Sequence, residues 1–289
     1  MDLETCTASL ASPALATAPD EVSSLTAGLH PATLTVKEVA RLYSGVAFAM
    51  WRHGVVMNAH LTFHWGEIGA KDAAHAVKLL GSFNHEAAKW LPVGKFSNDA
   101  IRAGRRFGHG TDFFYIHVHE NGGVQGFHTH QLCFIPAPTA KLFVAWARKC
   151  LARLAGKASI PKSAFDMKIK RSLGESQDVT RCWGWFRYLI KQLDTNTEVL
   201  DNEGGWRPVA SIFKPWTQRQ LMPLPVTTAV KISHNLGRTE QREAGFASRY
   251  ITGEWHEMYL GRELDEWRER LREEARQVEF ERLLPVLRY

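Results

Sequence analysis

"GFHTHQLCFIP", residues 126–136, sets two histidines one residue apart inside an apolar, β-branched and aromatic run. Such a run reads as a buried strand, and successive strand side chains alternate between faces. His128 and His130 therefore point together while Thr129 points away. Two imidazole nitrogens side by side suggest a divalent metal; a pair of hydrogen-bonded strand histidines is the plainer alternative.

The segment upstream supplies a partner strand. "FFYIHVHE" (113–120) has the same character, and the Gly-rich "NGGVQG" joins the two runs, so a hairpin is expected. If Glu120 lies opposite His128, the seven residues 121–127 close the hairpin, and Glu120, His128 and His130 share one face. Two imidazoles and a carboxylate suit Mn²⁺ or Mg²⁺, or Zn²⁺ as a substitute, with open positions for substrate oxygens. A slipped register would instead set His119 and His117 opposite His128 and His130. The residues alone leave both registers open.

Farther out, the periodicity alternates between types. Thr35 and Glu38 in "TVKE" have capping-box spacing, which predicts a helix to about Arg52. "VVMNAHLTFHW" (55–65) reads as a strand and the segment up to Leu91 as a helix. After the hairpin come an amphipathic helix ending at Gly156, a strand in "FDMKIKRSL", and a helix over 178–193 with Asp178 as N-cap. This order predicts an α+β domain over about 31–195, an antiparallel sheet with helices packed on one face. Residues 1–30, rich in Ala, Ser, Thr and Pro, read as a disordered tail. The turn-rich "DTNTEVLDNEGGWRP" marks a boundary, and 196–289 reads as a basic C-terminal extension, irregular to about Tyr250 and closing in a charged helix (254–284).

The charge balance favours polyanions. The chain carries +6 overall with a pI ≈ 9.2, and its first thirty residues hold four acids (Asp2, Glu4, Asp20, Glu21) and no Lys or Arg, so the body is more basic than the whole. Cys6, Cys133, Cys150 and Cys182 are far apart and form no CxxC pair, which argues against a disulfide framework or zinc ribbon and for a reducing compartment. With neither a long apolar run nor a secretory signal, a soluble cytoplasmic protein with no membrane partner is expected.

A second chemical element is Tyr188 with Lys191 in "RYLIKQL". Three residues apart on a helix, they share a face, so a phenol oxygen and an ammonium can approach one phosphate. A tyrosine attacking phosphorus needs metal on the non-bridging oxygens and a cation against developing charge. Tyr188 could equally be a packed aromatic beside Trp183, Trp185 and Phe186, and Lys191 a solvated helix charge.

Taken in order, these motifs resemble the HUH endonuclease superfamily, in particular the rolling-circle replication initiators (Rep proteins) of bacterial plasmids and phages. The strand Leu61-Thr62-Phe63, the pair His128 and His130, and the YxxK helix with Tyr188 and Lys191 appear in the family's order over about 55–193, and "ISHNLGRTEQREAGF" (232–246) is similar to a stretch that follows the catalytic domain in bacterial members. In related initiators an acidic ligand precedes the first histidine by eight residues, here Glu120, which selects the first register. The middle residue of the pair is usually bulky and apolar, and here it is Thr129. A single motif tyrosine argues against a two-tyrosine mechanism.

The resemblance implies that Glu120, His128 and His130 hold Mn or Mg and that Tyr188 attacks the scissile phosphate of single-stranded or hairpin origin DNA. A 5′-phosphotyrosine link and a free 3′-OH result, with Lys191 positioning the phosphate and host replication proteins as further partners. A transposase or relaxase of the same superfamily, a non-catalytic DNA-binding derivative and a zinc hydrolase are the rival readings. No GxxxxGK[ST] loop is present, against a fused helicase. For DNA contact the expected residues are Arg102, Arg105, Arg106, Lys168, Lys170 and Arg171, with Trp65, Phe107 and Trp183 as stacking partners for unpaired bases. His117 and His119 read as supporting groups, and Asn58, His60 and His64 lie where they could reach the site.

Overall fold

The computed structural model describes residues 30–93, 112–122, 126–170, 175–194, 196–200, 205–213, 215–216 and 222–246, together with helical positions between 269 and 281. The N-terminal tail, Arg102, Arg105, Arg106, Phe107 and Arg171 lie outside these residues, as does most of the charged helix expected over 254–284.

A five-stranded antiparallel sheet organises the described residues, in the order β4-β1-β3-β2-β7. Its members are β1 (Ala59–His64), β2 (Tyr115–Gly122), β3 (Gly126–Cys133), β4 (Phe165–Ile169) and β7 (Val230–Ile232), while β5 (Glu198–Leu200) and β6 (Trp206–Pro208) form a separate two-stranded ribbon. β3 is the central strand. Its neighbours align Thr62 with His130 and His64 with His128 on one side, and Glu120 with His128 on the other. The register is thus the one in which Glu120 and the two histidines share a face.

Helices cover both faces of this sheet. α1 (Val36–His53) and α4 (Glu175–Leu189) pack Leu42, Val46, Trp183 and Phe186 on Ile116, Val118, Leu132, Val230 and Ile232. α2 (Ala73–Val93) and α3 (Ala140–Leu154) pack Leu80, Phe83 and Phe143 on Leu61, Phe63, Cys133 and Phe165. Two apolar cores result, and the expectation of helices on one face is corrected: the central strands are buried on both faces, which is why "HLTF" and "HVHENG" read as nearly continuous buried runs rather than a clean alternation. Fully burying one side chain such as Phe63 or Phe83 contributes about 1.5–3 kcal/mol.

Local signals set most boundaries. Thr35 caps α1 through the predicted box, its side chain accepting from the Glu38 amide while the Glu38 carboxylate accepts from the Thr35 amide, an arrangement that contributes about 1 kcal/mol. Gly54 ends α1 in the left-handed conformation, φ 61°, which a residue without a Cβ adopts at no steric cost. α4 begins earlier than expected, at Glu175, so Asp178 lies inside it and not at its cap; there it pairs with Arg181 at 3.6 Å. The helix also stops at Leu189, four residues short of the expected end.

The sheet does not stop at residue 195. Val230, Lys231 and Ile232 pair with Val118, His117 and Ile116, and Leu224, Val226, Ala229 and Leu236 are buried in the same core as α1 and α4. Much of the stretch read as irregular therefore completes the domain. The alternation in "VKI" spans too few residues to stand out as a strand by itself. Arg270, farther along, lies over the Trp51 ring at 3.7 Å. Among the described residues, no helix is long and apolar enough to cross a membrane.

Candidate metal centre

β2 and β3 bring Glu120, His128 and His130 together, with one ligand atom from each within 4.8 Å of the others, all three residues buried. Their positions follow from the pleat: paired residues of antiparallel strands share a face, and Glu120 faces His128 while His130 follows two residues on. His128 Nε2 lies 3.2 Å and His130 Nε2 3.5 Å from Glu120 Oε2. Glu120 is 0% exposed, and its Oε1 has no hydrogen-bond partner.

The far side of each imidazole is anchored. His128 Nδ1 donates to the Gly126 carbonyl at 2.9 Å, and a carbonyl can only accept, so Nδ1 carries a proton and Nε2 is turned toward Glu120. His130 Nδ1 lies 3.1 Å from Thr62 Oγ1. Anchoring of this kind orients histidines as metal ligands. Both nitrogens and the carboxylate oxygen converge on one point, where they can share a cation. The donors present thus fit a divalent ion: two oriented nitrogens, a buried carboxylate, and an oxygen lacking a partner.

A side chain also brings a positive charge to this cluster. Lys191 Nζ lies 2.8 Å from Glu120 Oε2 and 3.4 Å from His130 Nε2. Burial opposes ionisation of Glu120, but the contacts from His128 and His130 and the Lys191 charge together outweigh it and hold its carboxyl well below the usual carboxylate range. Burial lowers the pKa of His130, with Glu120 opposing, so the ring favours the neutral form that binds metals.

Lys191 therefore competes with an incoming ion for Glu120. Lys191→Met is expected to tighten Mn²⁺ binding about tenfold while lowering the stability of the metal-free protein by about 3–5 kcal/mol, the cost of stranding a buried charge. Calorimetric titration and melting with and without Mn²⁺ check both, and added ion should restore the melting temperature. Weaker Mn²⁺ binding by the variant would show that Lys191 shapes the site instead of competing for it.

Tyr188 completes the cluster. Its hydroxyl lies 3.4 Å from His130 Nε2, and its ring stands edge-on to His130, centroids 5.0 Å apart, with Lys191 Nζ 3.9 Å from the Tyr188 centroid. Lys191 sits beyond the last residue of α4, in a turn where its amide donates to the Tyr188 carbonyl at 3.3 Å, so the turn, not the helix, sets this pair.

Other candidates separate into two groups. His60 stacks on His130 at 5.1 Å and meets Tyr188 edge-on at 5.4 Å, and His64 stacks on His128 at 5.9 Å, so both border the site. Burial, with the neighbouring His130, Lys168 and Lys191, lowers the His60 pKa to about 3. Lys168 pairs with His60 and shares its face, and both Lys168 and Lys170 are exposed. Asn58 does not reach the site; it clamps Ile135 by two hydrogen bonds of 2.9 Å.

Trp65 and Trp183 are buried in the two cores and present no face to a base, which corrects their reading as stacking partners. His117 and His119 alternate with Glu120's face and look the opposite way. Thr129, the departure from the bulky apolar middle residue, looks with them and is fully buried. Its oxygen accepts from Trp65 Nε1 at 2.7 Å and lies 2.8 Å from His119 Nδ1, so the hydroxyl satisfies two buried rings where an alkyl group would satisfy neither.

One site neighbour was missing from the sequence reading. Trp216 meets Tyr188 edge-on at 5.7 Å and is 58% exposed, held there by its amide donating to the Arg187 carbonyl at 3.3 Å. It lies beyond the boundary expected at 195, in a segment without periodicity, and only its type, a tryptophan in a polar stretch, marked it. The assembly is a metal-capable cluster at the foot of an aromatic wall, with a phenol and an ammonium at its mouth. Comparison of the chain with models of protein families, with curated proteins and with solved structures gives no match.

Proposed function

We propose that this chain nicks and rejoins single-stranded DNA as a metal-dependent HUH-type endonuclease, with Tyr188 as nucleophile and initiation of rolling-circle replication as its role. The observation that carries the reading is the approach of the Tyr188 hydroxyl to 3.4 Å from His130 Nε2, a nitrogen of the metal-capable cluster. Packing alone gives no reason to bring a phenol, an ammonium, two imidazoles and a carboxylate to one point over the central strands of a sheet.

Glu120, His128 and His130 would hold a divalent ion, Mn or Mg in this reading, which would supply positive charge for the non-bridging oxygens of a phosphodiester. Tyr188 Oη forms the bond to phosphorus as the bond to the 3′-oxygen breaks; the phenol gives up a proton and the 3′-oxygen gains one, so the exchange is proton-neutral overall. Lys191, with Nζ 3.9 Å from the Tyr188 ring centroid, offsets charge on the phosphate. Attack by an incoming 3′-OH reverses the step, and no nucleotide cofactor is needed. Trp216, edge-on to the tyrosine, and Trp185, 6.1 Å from His60, are the surfaces for unpaired bases, and Lys168 and Lys170 are the exposed cations for the backbone.

The test is covalent. Full-length protein incubated with single-stranded and hairpin oligonucleotides and Mn²⁺ should give a protein–DNA adduct that survives denaturation, vanishes in chelator, and maps to the peptide containing Tyr188 by mass spectrometry. Tight binding without adduct across a broad set of oligonucleotides would replace this reading with a non-catalytic DNA-binding one.

A further inference from the structure

The face of the sheet away from the metal centre carries a second group of basic side chains. At the β7 edge, between α2 and the segment leading into β7, lies a cavity of ≈ 670 Å³, a volume typical of small-molecule sites. Arg41, His117, His119 and Lys231 line it, and the described residues of its wall include no carboxylate. His117 and His119 are buried, and His117 Nδ1 has no hydrogen-bond partner. The remaining wall is mostly apolar, with Val77, Leu80 and Val226 among its residues and the Thr227 and Thr228 hydroxyls at its rim.

This distribution is asymmetric in charge as well as polarity. Arg41 and Lys231 are exposed and come from different layers, one from α1 and one from the edge strand, yet converge on one cavity. Like charges gathered without a counterion repel and are stabilised by an anion. Buried imidazoles without full hydrogen bonding are costly to maintain and gain from a polar ligand. The apolar wall asks for a body attached to that anion.

We infer that this cavity binds an organic phosphate of about mononucleotide size, its phosphate held by Arg41 and Lys231 with the histidines as further polar partners, and its base or equivalent ring against Val77, Leu80 and Val226. The phosphate is either that of a free nucleotide or that of a nucleotide within a strand. The site is separate from Tyr188 and does not depend on nicking.

Gly81 provides a way to close the cavity without disturbing the fold. It lines the cavity from within α2, and a Cβ added there meets no atom within 4 Å; a larger residue also suits a helix better than glycine. Calorimetric titration of the full chain in chelator, with deoxyadenosine 5′-monophosphate as ligand and deoxyadenosine as control, is expected to show binding that requires the phosphate. Arg41→Gln with Lys231→Gln, and separately Gly81→Leu, should each weaken it about tenfold or more at unchanged melting temperature. Displacement of the mononucleotide by a short oligothymidylate assigns the phosphate to a strand, and retention assigns it to a free nucleotide. Absence of binding at millimolar ligand, or wild-type affinity in either variant, overturns the proposal. Because chelator empties the metal centre, these outcomes are read independently of whether the protein nicks DNA.

Discussion

Tyr188→Phe is expected to leave Mn²⁺ binding within about twofold of wild type while reducing covalent adduct by about 10³-fold or more, the scale on which removing a nucleophile acts. The substitution removes one oxygen and little packing, since the Tyr188 ring is half-buried against His60, His130 and Trp216 and phenylalanine retains those contacts. The hydroxyl is not one of the three metal donors. A metal calorimetry trace paired with a denaturing gel therefore separates the roles: unchanged heat with no adduct identifies the phenol as the attacking group. Substantial strand cleavage by the variant, with hydrolysed rather than protein-linked ends, would instead identify water as the nucleophile and move the protein to a metal-dependent hydrolase.

Mild acid is expected to unfold the protein over a narrow range. Burial lowers the pKa of His60 to about 3 and of His119 to about 4, and lowers that of His117 well below its ordinary value of 6.5. Above pH 6.5 both folded and unfolded chains carry these rings neutral, and they make no pH-dependent contribution. As pH falls through 6.5 the unfolded chain takes up protons that the native fold refuses, so stability is lost progressively down toward pH 3 to 4. Each ring contributes at most about 1.4 kcal/mol per pH unit, and the three together about 4. A drop of one to two units below 6.5 removes about 4–8 kcal/mol, enough to bring a fold at the lower end of the typical range of about 5–15 kcal/mol to its midpoint. Urea unfolding at about pH 7 and pH 5.5 measures this directly. A stability unchanged between the two would mean that the histidines are protonated in the folded state and are not buried as neutral rings.

Much of this arrangement was legible before any coordinates. The alternation around His128 and His130 revealed the strand and its two faces, because a period of two is unambiguous when one row is imidazole and the next Thr and Gln. The capping box at Thr35 and Glu38 located the start of α1 to the residue. The register of the hairpin was not fixed by its own residues: a slip that set His119 and His117 against the pair also satisfied composition, and only the resemblance chose Glu120. Nothing in the sequence announced Lys191 as the partner of Glu120, since the two lie 71 positions apart and the contact forms in a turn that helical periodicity had absorbed into α4. The second helical layer was hidden for a related reason. The reverse of β2 and β3 carries polar residues, which do not signal a covering layer, yet Thr129, Gln131, His117 and His119 are buried in a network that includes Asn84, which accepts from Gln131 at 3.1 Å.

β3 works as a two-sided template. One row of its side chains supplies imidazoles beside Tyr188; the interleaved row supplies the hydroxyl and amide that secure Trp65 and Asn84. Inserting or deleting a single residue within 126–133 would turn both rows over together, driving two imidazoles into the Phe-rich layer and delivering threonine and glutamine to Tyr188. Length, rather than the identity of any one residue, is the property of this strand that permits no compromise: side chains can be exchanged singly, whereas a frameshift in the pleat dismantles two structures at a stroke.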